Sequence, residues 1–470
     1  MDPLLLARAQ FALTVAFHFI FPSITIGLAL LVAISLTLRW RRRDEAWGRT
    51  ADFWTKLFAL TFTVGVATGI VMEFQFGTNW SRYSTFVGDI FGSPLAAEGV
   101  FAFFLESTFL GLLLFGGRRI GDGLRAFAAW MVALGSTLSG FWIIVANSWM
   151  QTPAGYEVQG GKAVLTDFMA AAFNPSTLPR FFHTIASSWT AAAFIVTGVA
   201  AWWLLRGRHA QVAARSIRLG LVVAFVGAAL MFVTGDNHAR QVADTQQAKF
   251  AGMNGLYVTT TGAPLVVWSL PPTQDPANVV IGPELLVGNM LSFLAYGSFE
   301  APVRGLDEFP TGDWPPVMAT FLAYHNMVLL GSLMLLLMLA CAYLLWRGRL
   351  ELSRTWLRLA VLSIPLPLIA IQLGWATAEL GRQPWIVYGL MRTADGTSPV
   401  VSATDLALSL LLFGAVYTLL FVLWMGMLVR EIRHGPARSP VPEASPSPGE
   451  PATRPAAGQP RPAPTGSGGR

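Results

Sequence analysis

Nine long apolar runs follow one another along this chain, at about residues 10–38, 55–76, 95–116, 124–147, 181–205, 217–235, 317–346, 357–380 and 404–430. Each is long enough to cross roughly 30 Å of hydrocarbon at about 1.5 Å per residue. Of the 470 residues 54% are hydrophobic and 12% charged, well under the roughly 25% charge of soluble domains. A backbone in lipid must satisfy its own hydrogen bonds, so the chain is predicted to be an all-α integral membrane protein with nine transmembrane helices packed in bundles.

The first run lacks a basic start and is too long for a signal core, so it is expected to stay as the first span. Cys341 is the single cysteine. That rules out an internal disulfide, a Cys-ligated iron–sulfur cluster within the chain and a Cys-x-x-Cys-His heme attachment, leaving His, Met and carboxylates as metal ligands.

Charge predicts direction. The connections after runs one, three, five and seven carry Arg39, Arg41, Arg42, Arg43 and Arg49; Arg118, Arg119 and Arg125; Arg206, Arg208 and Arg215; and Arg347, Arg349, Arg354 and Arg358. Such loops belong inside. The longest alternate loop, about 236–316, sets the acids Asp236, Asp244, Asp275, Glu284, Glu300, Asp307, Glu308 and Asp313 against Arg240, Lys249 and Arg304. The N-terminus is therefore expected outside, and the C-terminus, with Arg430, Arg433 and Arg438, inside. A net charge of +6 reads as topology and calls for no nucleic acid. Residues 1–435 form the predicted membrane domain, with its outer loop at 236–316. Residues 436–470, rich in Pro, Ala, Gly and Ser, are expected to be a disordered inner tail. No period of 20–50 residues repeats, which speaks against a solenoid or an inverted-repeat transporter.

Within this frame the intramembrane polar residues acquire depths. His18 falls about 12 Å below the outer end of the first span. Glu98 and His183 are expected near the outer starts of their spans, His325 and Met327 about one third of the way down theirs, and Glu379 near the outer end of the eighth. Six candidate ligands thus share the outer half of the bilayer, a level that electron-transfer cofactors would require. Ionisable groups at such depth are costly and mark functional sites. His183 and Met327 make a natural axial pair for a six-coordinate, low-spin heme that passes electrons. His18, Glu98 and Glu379 suit a heme with one axial ligand and an open iron position for a small molecule such as dioxygen. Taken singly, a membrane histidine as readily hydrogen-bonds a neighbouring helix, and most methionines fill core gaps; the constellation carries the inference. Deeper, Glu106 lies about 80° around the axis from Glu98 in a regular helix. With Ser136, Ser139 and Asn147 of the fourth span it offers a route for protons, although close helix packing would also explain the serines.

These residues sit in strings that resemble subunit I of the cytochrome bd quinol oxidases over nearly all of residues 1–434: Arg8-Ala-Gln-Phe-Ala-Leu-Thr with His18; Gly65-Val-Ala-Thr-Gly-Ile-Val-Met-Glu73-Phe-Gln-Phe-Gly-Thr-Asn-Trp80; Gly88-Asp-Ile-Phe-Gly92 leading to Glu98; Phe103-Phe-Leu-Glu106; Val145-Ala-Asn147-Ser-Trp-Met-Gln-Thr-Pro153; and Gly374-Trp375 through Glu379 to Gly381-Arg-Gln-Pro-Trp385. The resemblance implies a terminal respiratory oxidase in the bacterial inner membrane. Such an enzyme oxidises ubiquinol or menaquinol at the outer face, reduces dioxygen to water with protons from the inner side, and so builds membrane potential.

By motif position the resemblance implies that His183 and Met327 bind a low-spin heme b. His18, Glu379 and Glu98 would serve a high-spin heme b and heme d, or a further heme b in its place. Glu106, Ser139 and Asn147 match the proton path, and Arg382 and Trp375 flank the hemes. The loop at 236–316 has the length of the family's short quinol-loop branch, and Lys249 matches a lysine associated with quinol. Two departures stand out. Asn254 holds the place of a usual loop glutamate and cannot accept a proton as a carboxylate would, a role left to Asp244 or another loop acid; and His325 stands where an arginine is common. A second, larger membrane subunit and small single-helix subunits are the implied partners. The rival readings are a transporter that uses the same His and Glu residues for ions, which predicts a colourless protein, and a heme electron carrier that consumes no oxygen.

Overall fold

The computed structural model describes residues 2–116, 119–268, 285–349 and 353–436. The expectations for Arg118, Asp275, Glu284 and the tail beyond residue 436 lie outside the described residues.

The first hairpin joins α1 (Pro3–Arg42) to α2 (Glu45–Thr78) through Arg43, whose φ is 51°, and Asp44, whose carboxylate caps α2 by accepting from the Ala46 N–H at 2.9 Å. The next rod runs unbroken through α3 (Ser81–Ala97), a π-helical turn (Glu98–Phe103) and α4 (Phe104–Phe115). After α5 (Asp122–Gln151) come a hairpin of β1 (Tyr156–Gln159) and β2 (Lys162–Leu165), the short α6 (Phe168–Ala172), and the long antiparallel pair α7 (Thr177–Leu205) and α8 (Ala210–Thr245). A loop region follows: α9 (Gln247–Asn254), β3 (Thr260–Thr261), β4 (Leu265–Trp268), β5 (Leu285–Val287), α10 (Met290–Tyr296) and β6 (Pro302–Val303), with β3 pairing β6 and β4 pairing β5. The chain closes with α11 (Val317–Trp346), α12 (Arg354–Leu362), α13 (Leu366–Leu380), the pair β7 (Trp385–Val387) and β8 (Met391–Arg392), and α14 (Ala403–His434). Among the described residues nine helical rods are long and apolar enough to cross a membrane, as the apolar runs predict. The eighth is broken between α12 and α13, where Pro365 and Pro367 disfavour helical geometry in the residues before them.

Two boundaries differ from expectation. The third rod begins at Ser81, not near residue 95, because α3 is amphipathic and buries Tyr83, Phe86, Val87, Ile90 and Phe91. Glu98 accordingly lies in the middle of its rod and not near its start. The predicted outer loop is helical from 236 to 245 and again from 247 to 254. Polar residues end the hydropathy run at 235, yet Val242, Ala243, Phe250 and Met253 still face one apolar cluster.

Small residues let the central helices meet. A Cβ at Gly27 of α1 would stand 2.3 Å from the Ser188 carbonyl oxygen of α7, and one at Gly227 of α8 would stand 3.1 Å from that of Ala186, the close backbone approach typical of membrane bundles. The principal apolar core, with Leu28, Leu36, Trp54, Phe58, Phe194 and Trp203 fully buried, fills the half of the bundle nearest the arginine-rich connections. On that face Arg39 pairs with Glu45 and with Asp122, Arg215 pairs with Asp44 at 2.6 Å, and Lys56 pairs with Glu431 at 2.6 Å. The turns after the first, third and fifth rods and the end of α14 therefore share one side. Each exposed pair adds little stability alone. The candidate ligands lie toward the opposite side.

Candidate heme and quinol site

His18 on α1 and His183 on α7 are held alike. His18 Nδ1 lies 3.0 Å from Thr68 Oγ1 on α2, and His183 Nδ1 lies 3.1 Å from Thr234 Oγ1 on α8. In both rings no protein partner claims Nε2 in the hydrogen bonds described. Met327 of α11 brings its thioether against the bare Cα of Gly374 on α13, where a Cβ would stand 2.8 Å from Sδ.

His325, one of the six candidate ligands, is different. Its Nδ1 faces the Phe321 carbonyl at 3.0 Å and its Nε2 faces that of Val266, also at 3.0 Å. A backbone oxygen stands against each nitrogen, so the ring ties α11 to β4 and both of its nitrogens are occupied by protein contacts.

Glu98 Oε1 accepts from Ser139 Oγ at 2.7 Å, and Glu106 Oε1 accepts from Ser136 Oγ. Both carboxylates thus face α5, against the 80° separation expected of a regular helix. The π turn supplies the reason: one extra residue in a wide turn sets the following residues back by roughly 100°, which brings Glu106 to within about 20° of Glu98. Gly135 lets the helices close there, since its Cβ would stand 2.9 Å from both Cβ and N of Glu106.

A buried polar network joins the ends of four elements. Glu379, in the last turn of α13, accepts from Asn147 Nδ2 of α5 at 3.2 Å and pairs through its other oxygen with Arg382. Asn147 Oδ1 in turn accepts from Arg180 of α7. One turn further along α5, Gln151 Oε1 accepts from Lys249 Nζ at 3.0 Å, and Gln246 Oε1 accepts from the same ammonium at 3.1 Å. Lys249 is only 3% exposed and Arg382 5%. Burial holds the Lys249 pKa well below the ordinary lysine value; the nearby Arg180 pushes the same way, while Glu379 opposes. Lys249 and Arg382 line a cavity of about 170 Å³ together with Phe309, Asp313, Trp385 and Tyr388. At its rim Arg392 lies over the Trp385 ring at 4.8 Å and pairs with Asp313 at 2.6 Å.

Of the three residues expected at quinol, only Lys249 reaches this cavity. Asn254 is buried elsewhere, its amide donating to the Phe250 carbonyl at 2.8 Å, and Asp244 is exposed in the last turn of α8. Trp375 sits half-buried one turn before Glu379. The sequence reading missed Arg180, Gln151, Thr68 and Thr234. Arg180 had a visible signal, a cation three residues before His183, but it stood just ahead of the predicted span.

Among the described residues no group of three or more His, Cys, Asp or Glu could hold a bare metal ion. Single imidazoles, a thioether and single carboxylates suit instead an iron whose equatorial donors come from a porphyrin. The network has the matching charge. Arg180, Lys249 and Arg382 surround the one carboxylate of Glu379, and Arg382 Nε is buried without a hydrogen-bond partner. An anionic group such as a heme propionate would answer both.

Residues 6–436 match the family described as cytochrome bd terminal oxidase subunit I. The chain belongs to this family. It is 39% identical over 444 residues to the cytochrome bd ubiquinol oxidase subunit 1 of Bacillus subtilis, covering 93% of this chain and 94% of that one. It is 34% identical over 512 residues to the cytochrome bd-II ubiquinol oxidase subunit 1 of Escherichia coli, covering 93% and 97%. The solved bd oxidase from Geobacillus thermodenitrificans superposes with a TM-score of 0.85 at 31% identity, over 93% of this chain and 99% of that chain. The nine-rod architecture of this family member is thus that of a bd oxidase.

Proposed function

We propose that this chain is the heme-bearing subunit of a quinol:oxygen oxidoreductase in the bacterial inner membrane, oxidising quinol beside Lys249 and reducing dioxygen to water. One observation carries the reading: a ring-sized cavity is joined by polar contacts to the candidate ligand Glu379. From Arg382 in its wall, beside Lys249, the polar chain runs through Glu379 and Asn147 to Arg180, which stands three residues from His183 in the sequence. A cavity of about 150 Å³ accommodates a benzene-sized ring, so the 170 Å³ here suits a quinol head group, its tail leaving toward lipid.

His183 and Met327 would hold a low-spin heme b; His18, Glu98 and Glu379 would serve a high-spin heme b and a heme d, or a further heme b in its place. When bound, these groups supply one-electron transfer and the reduction of dioxygen. The chain's own residues do the rest. Lys249 presents its third N–H, beyond those given to Gln151 and Gln246, to a quinol oxygen, and in its neutral form accepts a proton there. Arg382 holds the Glu379 carboxylate by a charge-assisted hydrogen bond, and Arg180 holds the Asn147 amide oxygen beside it. Glu106 and Glu98, bonded to Ser136 and Ser139, hold protons at their carboxyl oxygens on the way from the arginine-rich side, with Asn147 beyond them. Quinol protons leave on the opposite side, so turnover separates charge across the membrane. A second membrane subunit and small single-helix subunits would cover part of the exposed apolar faces of this chain, among them that of α14 with Leu408, Leu411 and Leu412.

Replacing His183 by Ala tests the reading. Reduced-minus-oxidised spectra of the purified complex should lose the low-spin heme band, and quinol-driven oxygen uptake should fall to background. An unchanged spectrum overturns the ligand assignment. A wild-type complex that is colourless, or one that oxidises quinol without consuming oxygen, overturns the oxidase itself.

A further inference from the structure

We infer that the Thr-Gly dipeptides Thr68-Gly69 and Thr234-Gly235 are the positioning devices of the two heme histidines, each fixing which ring nitrogen faces the iron. The inference rests on the ligand roles proposed above for His18 and His183.

Proton accounting at the threonines carries it. Thr68 Oγ1 gives its one proton to the Val64 carbonyl at 2.9 Å, with that of Gly65 at 3.1 Å. Thr234 Oγ1 gives its proton to the Leu230 carbonyl at 2.7 Å, with that of Met231 at 3.5 Å. A hydroxyl has one donor and two acceptor lone pairs, so toward the imidazole each threonine can only accept. Nδ1 of His18 at 3.0 Å, and of His183 at 3.1 Å, must therefore carry the proton. In a neutral ring the lone pair is then at Nε2.

The following glycine clears the ring edge. A Cβ at Gly69 would stand 3.1 Å from His18 Cε1, and one at Gly235 would stand 3.3 Å from His183 Cε1. The same dipeptide, in the same relation to the ring, occurs on separate helix pairs, α1 with α2 and α7 with α8. Helix packing alone asks for small residues at these positions and gives no reason for a hydroxyl beside each glycine. A partner on the distal nitrogen orients a ligating histidine and raises its basicity, and a more basic ligand favours ferric iron. Loss of the threonine oxygen should therefore raise the midpoint potential of the heme that the histidine holds.

The test uses the whole complex in membranes. Thr234→Val keeps the shape and removes the oxygen; Thr234→Ser keeps the oxygen. Redox titration of the low-spin band should show a raised potential in T234V and the wild-type value in T234S. For Thr68→Val the iron–histidine stretch of the reduced high-spin heme should fall in frequency, with Thr68→Ser again restoring it. If T234V fails to retain heme, retention in T234S supports the role of the oxygen, and loss in both assigns the position to packing and overturns the inference. An unshifted potential in a fully loaded T234V also overturns it. His183→Ala, run alongside, separates the two failures: if it abolishes the low-spin band while T234V changes nothing, only this inference falls; if it leaves the band intact, the ligand assignment falls.

Discussion

Lys249 shows how one side chain is tuned by its place. Its ammonium is enclosed by the Gln151 and Gln246 carbonyl oxygens with Arg180 and Arg382 nearby, and burial disfavours the charged form. A folded pKa below the ordinary value of about 10.4 means that, as pH rises, Lys249 loses its proton before a surface lysine would. Within that window the neutral amine can accept a proton from quinol, so quinol-driven oxygen uptake should climb with pH. Lys249→Arg keeps the charge, because guanidinium does not deprotonate in this range. It should flatten the climb and lower the alkaline rate by about tenfold, a modest share of what a positioned base contributes. Oxygen-electrode rates for both proteins between about pH 6 and 10 check this, and parallel profiles would remove Lys249 from the proton chemistry.

At the scale of the element, the π turn at Glu98–Phe103 converts two carboxylates on different faces into a pair aimed at α5. Deleting Gly99 would leave seven regular residues, about 700°, and keep Glu106 within roughly 20° of Glu98, whereas inserting one alanine after Gly99 should swing Glu106 by roughly 100°, away from Ser136. Oxygen uptake should then fall by about a hundredfold, the lower range for a lost proton-transfer group, with the His183 heme band retained. Gly99→Ala is the control: no atom lies within 4 Å of the Cβ it would add, so the turn and the rate should survive. Equal loss in the insertion and in Gly99→Ala would show that the residue matters and the phase of Glu106 does not. This element also marks where sequence reading stops. Hydropathy gives each rod, and the rarity of ionisable groups in lipid singles out His18, Glu98, His183 and Glu379. Phase within a rod depends on which backbone bonds slip by one residue, and the composition of Glu98-Gly-Val-Phe-Ala-Phe103 does not announce that. His325 differs from the other candidate ligands for a related reason: its partner, the Val266 carbonyl, comes from a loop strand that no intramembrane depth argument includes. Motif position points to Asn254, and Asp244 is one of the loop acids that could stand in for the missing glutamate, but neither lines the cavity at Lys249.

For the whole molecule the decisive asymmetry is electrostatic. Arg39, Arg215 and Lys56 are bound into ion pairs that link the turns after rods one, three and five to the end of α14, while the cavity at Lys249 opens among the acidic loop elements on the other side. With the basic side facing the cytoplasm, the function proposed above has protons for water entering through Glu106 from inside and quinol protons leaving outside, and each charge so separated works against roughly 2.3 kcal/mol per 100 mV. The direction can be read chemically, because the lone cysteine, Cys341, is buried and can be replaced by Ser. In that background Glu300→Cys, in the exposed loop, should react with a membrane-impermeant maleimide in intact spheroplasts, and Arg433→Cys, exposed at the end of α14, only after the membranes are inverted. The reverse labelling would place the cavity at Lys249 inside. Oxygen reduction would then draw its protons from the same side to which respiration expels them, and an uncoupler would no longer speed oxygen uptake as it should when turnover builds the potential it opposes.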